Sequence, residues 1–75
     1  MARTEKLTAI VERDGDTYVA LCPELDISSQ GASVDEARAN LKEAVELFFE
    51  TADASEIDRR LSFERHVSRL EVVRG

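Results

Sequence analysis

A chain of 75 residues provides one domain with a single hydrophobic core, and 43% hydrophobic with 35% charged residues is typical of a soluble globular protein. No apolar run approaches the roughly 20 residues that a membrane-spanning helix needs, and the first ten residues, MARTEKLTAI, lack the apolar centre of a signal peptide. The lone Cys22 excludes an internal disulfide, so we expect a cytoplasmic protein.

The net charge of −6 is concentrated in the middle of the chain. Residues 14–53 hold ten acidic and two basic side chains, whereas the segments before and after each sum to +1. An acidic centre repels phosphate, which disfavours independent binding of nucleic acid and predicts attraction to a basic protein. The alternative is that the acidity only keeps a small protein soluble.

The first 22 residues predict a β-hairpin. Residues 6–13 alternate, with Leu7, Ala9 and Val11 on one face, as a strand does. The sequence Asp-Gly-Asp at 14–16 predicts the turn, because Gly15 tolerates positive φ. A second strand is expected over residues 17–22.

Pro23 ends this second strand, because proline cannot donate to the sheet. A short third strand is expected at about residues 25–29, which completes an antiparallel meander. Gly31 is then expected to turn the chain toward a helix.

Residues 34–50 predict one amphipathic helix. Ser33 is the expected N-cap and Glu36 completes a capping box. At 100° per residue the face expected on the sheet comprises Val34, Ala37, Leu41, Ala44, Val45, Phe48 and Phe49. The opposite face is acidic and comprises Asp35, Glu36, Glu43, Glu46 and Glu50, with the apolar Leu47 among them.

The last third of the chain predicts a short helix and a closing strand. Ser55 is expected to cap one or two helical turns through residue 61, and Val67, Leu70, Val72 and Val73 favour a strand. The fold class is therefore α+β, a two-layer sandwich of order β-β-β-α-(short α)-β in a single domain over residues 1–75. The small size and a terminal edge strand predict homo-oligomers.

The residue patterns favour no catalytic, cofactor or metal site. Cys22 lies in an apolar strand and His66 has no third orienting group, so both are expected to be structural. Asp14 and Asp16 supply too few oxygens for a calcium ion.

Two charged surfaces are candidates for binding. The arginines at 59, 60, 65, 69 and 74 alternate with acidic residues, which favours a solvated face over a nucleic-acid site. The acidic helix face is either simply solvated or a docking surface for a basic protein. The candidate partner-binding residues are Glu43, Glu46, Leu47 and Glu50.

The segment from Asp14 to Glu50 resembles the HicB-like antitoxins of bacterial toxin–antitoxin pairs. The matching motifs are Asp14-Gly15, Tyr18-Val19-Ala20, Cys22-Pro23-Glu24-Leu25, Gln30-Gly31 and the acidic run from Glu36 to Glu46. The resemblance implies a truncated RNase H-like fold and neutralisation of a small basic HicA-type ribonuclease toxin.

Two family properties do not carry over to this sequence. The chain ends at Gly75 without the DNA-binding segment of larger members, and no set of acidic positions aligns with the metal ligands of RNase H. The sequence therefore predicts a non-enzymatic antitoxin or a derived binding module. An orphan homo-oligomeric domain without a toxin is the alternative, and a small nuclease is a weaker third hypothesis.

Overall fold

A computed structural model describes residues 4–75 as three strands followed by two helices. The elements in chain order are β1 (Ile10–Asp14), β2 (Thr17–Cys22), β3 (Ile27–Gly31), α1 (Val34–Thr51) and α2 (Ala54–Leu61). The sheet has the order β1-β2-β3 with both pairs antiparallel, and α1 packs on one of its faces. The predicted α+β class is confirmed.

The first hairpin forms where the sequence predicts it. Asp14 pairs with Thr17, so Gly15 and Asp16 make a two-residue loop. Gly15 has a φ of +63°, as a hairpin turn with glycine at its first loop position requires. The first strand is shorter than expected, because it begins at Ile10 and not at residue 6.

The β2–β3 connection differs from the prediction. The third strand was expected from Leu25, but β3 begins at Ile27. Leu25 lies in the turn with its side chain fully buried, and Asp26 has a φ of +55°. The turn therefore directs Leu25 into the core, and Pro23 directly follows the end of β2.

The helix α1 begins at a well-formed cap. The Ser33 hydroxyl accepts a hydrogen bond from the Glu36 backbone N–H at 3.1 Å. The Glu36 carboxylate in turn accepts from the backbone N–H of Ala32, at 3.2 Å, and not from that of Ser33. Both bonds satisfy donors near the helix start, which fixes where α1 begins.

One side of α1 forms the core with the sheet. Ala37, Leu41 and Val45 are buried against Ala20 and Cys22. Phe48 and Phe49 are half-buried at the edge of this cluster. Val34 is 47% exposed, so its predicted burial is wrong, because it lies at the first turn of the helix, beyond the core.

Gly31 allows α1 to approach β3 very closely. A Cβ atom at this position would lie 2.5 Å from the backbone nitrogen of Ala37. Its backbone has no positive φ, so close packing is the reason for glycine here, not the turn that the sequence predicts. Asn40 adds a second tie, because its Nδ2 donates to the Gln30 carbonyl at 2.8 Å.

The helix α2 is held to the β2–β3 turn by Arg60. Its Nη1 donates to the Leu25 carbonyl at 2.6 Å, and its Nη2 contacts the Glu56 carboxylate at 3.0 Å. The guanidinium also lies over the Phe48 ring, 4.8 Å from its centroid. Asp53, not Ser55, occupies the N-cap position, so the predicted cap is wrong.

The closing strand is absent from residues 64–75, which have no regular secondary structure. Val67, Leu70, Val72 and Val73 are between 76% and 97% exposed. The prediction of a fourth strand within this chain is wrong, because these residues lie exposed, away from the sheet, and pair with neither of its edge strands.

Glu24 ties the N-terminal segment to the β2–β3 turn. Its carboxylate accepts hydrogen bonds from the Thr8 backbone N–H at 2.9 and 3.1 Å and from the Thr8 hydroxyl at 2.6 Å. Partial burial raises the pKa of Glu24, but the hydrogen bonds from Thr8 outweigh it, so the pKa lies below its ordinary value of 4.5.

We expect Glu24→Gln to lower stability in a pH-dependent way. A depressed pKa stabilises the fold above the pKa of the unfolded chain, and this stabilisation is lost as pH falls through the folded value. Thermal unfolding should therefore separate the two proteins at neutral pH and bring their midpoints together below about 4.5. A difference that stays constant with pH would contradict the predicted role of the ionised carboxylate.

Candidate protein-binding surface on the first helix

The four candidate partner-binding residues share one surface of α1. Glu43, Glu46, Leu47 and Glu50 are spaced by three and four residues, which places them on one side of a helix. Together they line a shallow hollow of about 580 Å³. We call these four residues the acidic face.

The acidic face lies on the solvent-exposed side of α1, and the opposite side of α1 packs on the sheet. The buried residues of α1 lie on its opposite side, and the close contact at Gly31 leaves α1 little freedom to rotate. Because the helix is held against the sheet, the backbone positions of its exposed residues are fixed. Such a surface suits binding, since little backbone order is lost on association.

The carboxylates of the acidic face have no cationic partner within residues 4–75. Neither an ion pair nor a hydrogen bond is found for the side chains of Glu43, Glu46 or Glu50 in that range. The basic residues of α1, Arg38 and Lys42, line a neighbouring groove, which Glu46 also borders, but they form no ion pair with it. The acidic face therefore has an unbalanced negative potential.

Leu47 adds an apolar contact to this surface. Its side chain is 58% exposed and lies among the three glutamates. Isolated exposed leucines are common, but a leucine bordered on one side by charged residues has the arrangement of an interface anchor beside a polar rim.

Two further residues, which the sequence analysis did not single out, line the hollow. Asn40 lies three residues before Glu43, so helical spacing alone would have indicated it. Ser29 comes from β3, and its position depends on how α1 crosses the sheet. No local sequence signal indicates that crossing.

The two candidate nucleophilic and basic residues lie in different environments. Cys22 is 1% exposed in β2, and its Sγ contacts the Glu24 carboxylate at 3.6 Å. His66 is exposed, and its Nε2 lies 2.9 Å from the Glu64 carboxylate. Among the residues that the structure describes, no hydrogen bond joins Cys22 to His66.

We expect the Cys22 thiol to be unreactive in the folded protein. Burial raises its pKa above the ordinary value of 9.0, and the nearby Glu24 carboxylate adds to this effect. A thiol-specific reagent should react slowly with native protein and rapidly after denaturation, as followed by absorbance. A native rate equal to that of the unfolded chain would contradict this burial.

The remaining candidates do not form a chemical site within the described range 4–75. No group of three His, Cys, Asp or Glu side chains there is arranged to hold a metal ion. The Asp14 carbonyl accepts from the Thr17 hydroxyl at 3.0 Å, as part of the turn. Of the five C-terminal arginines considered for nucleic-acid binding, Arg60 donates a hydrogen bond to the Leu25 carbonyl of its own chain. Arg65 lies over the Phe63 ring, 5.4 Å from its centroid.

No helix in the part of the chain that the structure describes combines the length and apolar character needed to cross a bilayer. By its fold and its acidic face, this protein is a small two-layer α+β protein with a negatively charged helix surface.

Comparison with known proteins then gives the family. The chain is 40% identical to a UPF0150 protein of Helicobacter pylori (strain J99 / ATCC 700824) over 52 residues, which are 68% of this chain and 72% of that protein. The chain therefore belongs to the UPF0150 family. No family model matches the sequence. No solved structure matches it either.

Proposed function

We propose that this protein is a cytoplasmic HicB-like antitoxin that binds and neutralises a small basic HicA-type ribonuclease. The acidic face carries the proposal, because its three glutamates are without cationic partners in residues 4–75 and lie beside an exposed leucine. Membership of the UPF0150 family and the resemblance of the motifs from Asp14 to Glu50 both support it.

Inhibition would follow from charge complementarity. A ribonuclease must hold phosphate with basic side chains, and a negatively charged helix competes for those same side chains. The glutamates would bind the cations of the toxin, while Leu47 packs into an apolar depression between them. The antitoxin would thus cover the RNA-binding or catalytic surface and would need no catalytic activity of its own.

Co-purification with a small basic protein, sought first among the products of adjacent genes, tests the proposal. The wild-type chain should retain the tagged basic protein and suppress its ribonuclease activity. The variant Glu43→Lys/Glu46→Lys/Glu50→Lys should lose both effects, with an affinity loss of roughly 100-fold if each reversal costs about 1 kcal/mol.

A matched control separates the acidic face from overall charge. The variant Glu12→Lys/Asp14→Lys/Asp16→Lys changes net charge equally, and these three residues are exposed around the β1–β2 turn. It should still bind the basic protein. Equal loss in both variants, or no binding by the wild-type chain, would contradict the proposal and favour an orphan domain.

A further inference from the structure

The C-terminal segment, residues 64–75, extends away from the folded part of its own chain. All its residues are exposed, with Leu70 at 87% and Val73 at 97%. The radius of gyration is 14.7 Å, whereas a compact chain of this length has about 11 Å. The accessible surface is 6597 Å², against about 4,600 Å² for a compact monomer of this mass. The excess is comparable to the area of a stable protein interface.

A groove with a largely apolar floor lies next to the residues that lead into β1. It has a volume of about 710 Å³ and runs between the segment before β1 and one flank of α1. Its apolar lining includes Leu7, Ala9, Leu41, Val45 and Phe49, and its charged lining residues are Glu5, Asp35, Arg38, Lys42 and Glu46. The groove exists because α1 packs closely on β3, which leaves the β1 side of the helix without a strand beneath it.

The two edges of the sheet are not equivalent. At β3, Asn40 of α1 already takes the Gln30 carbonyl. At β1, the hairpin closes with the pair Asp14 and Thr17. Along a strand, the N–H and C=O groups of successive residues point alternately toward and away from the partner strand, so those of Val11 and Arg13 point away from β2, to the free side. A free edge next to an apolar groove is a site for one more strand.

The C-terminal segment has the pattern that this site requires. With a period of two, Leu70 and Val72 lie on one face, and Arg69 and Glu71 lie on the other. We infer that residues 66–73 of a second copy pair with β1 and place Leu70 and Val72 in the groove. The exchange is reciprocal, so two copies form a closed dimer with two four-stranded sheets.

We assign the groove to the C-terminal segment of a second copy, because residues 64–75 do not cover the groove of their own chain in this structure. The contacts found for its side chains are local, between Glu64 and His66 and between Arg65 and Phe63. The dimer does not require the proposed antitoxin function, because it forms without a toxin, and the two surfaces share only Glu46 among the acidic-face residues.

The mass of the full chain in solution, by light scattering after gel filtration without any partner, tests the inference. The wild-type chain should have twice the monomer mass of 8.4 kDa. Leu70→Asp/Val72→Asp should give the monomer, with dimer dissociation shifted by at least tenfold. Because both side chains are exposed within one chain, circular dichroism should keep the helical signal of α1 and α2 and lose only the contribution of the added strand.

Two further variants locate the interface. Ala39→Glu places a charge at an exposed position in the groove and should also give the monomer. Val73→Asp lies on the other face of the segment and should leave the dimer intact. A monomeric wild-type chain would overturn the inference. A dimer that survives Leu70→Asp/Val72→Asp or Ala39→Glu would do the same, as would equal dissociation by Val73→Asp.

Discussion

Replacing Gly31 with alanine is expected to lower the free energy of unfolding by about 3 kcal/mol, the upper range for overpacking. The added Cβ would lie 2.5 Å from the Ala37 nitrogen and 2.8 Å from the Glu36 carbonyl carbon. Both are backbone atoms, so α1 itself must shift away from β3. A domain of this length has roughly 4–11 kcal/mol of stability in total, so the loss is large. Urea unfolding followed by circular dichroism measures it.

Gly15→Ala is the matched control for this substitution. Gly15 has a φ of +63° but has no atom within 4 Å of an added Cβ. Alanine there suffers only backbone strain, of about 1 kcal/mol. If Gly31→Ala destabilises the protein no more than Gly15→Ala does, the explanation that Gly31 is needed for close packing of α1 on β3 is contradicted.

Leu25→Ala is expected to destabilise the protein by about 3 kcal/mol, within the usual range for a buried leucine. The side chain is fully buried although it lies in a turn. Its backbone carbonyl accepts from Arg60, so a shifted turn would also weaken the attachment of α2. Thermal unfolding should show the loss as a lower midpoint.

Leu47→Ala provides the comparison for this prediction. Leu47 is 58% exposed on the acidic face, and its truncation should change stability by less than about 0.5 kcal/mol. Equal destabilisation by the two substitutions would contradict the assignment of Leu25 to the core and of Leu47 to a binding surface.

Local signals predicted the first hairpin and the long helix. Gly15 at the turn and the alternation of residues 17–22 specify a hairpin within a few neighbouring residues. Ser33 and Glu36 specify the helix start in the same way, since their hydrogen bonds involve only residues 32–36. Such features depend little on the rest of the fold.

Features that depend on distant contacts could not be predicted. The alternation of Leu25 and Ile27 suggests a strand, but Asp26 takes a positive φ and Leu25 enters the core instead. Arg60 was grouped with solvated arginines, whereas it binds a carbonyl 35 residues earlier in the chain. The strand pattern of residues 66–73 is not used within the chain's own fold, since these residues lie exposed and do not pair with β1 or β3.

The acidic face could be predicted because helical spacing determines it. Glu43, Glu46, Leu47 and Glu50 lie together for geometrical reasons that the sequence contains. The contribution of Ser29 depends on where α1 crosses the sheet, and the identity of the partner depends on a second molecule. Neither is encoded in the spacing of residues within this chain.

Calorimetric titration with the purified basic protein at rising salt concentration is the most direct measurement of docking through the acidic face. The wild-type chain should bind tightly at low salt and lose affinity steeply as salt rises, because exposed charges carry the attraction. Glu43→Lys/Glu46→Lys/Glu50→Lys should bind weakly at every salt concentration. Equal affinity of the variant and the wild-type chain, without salt dependence, would contradict it.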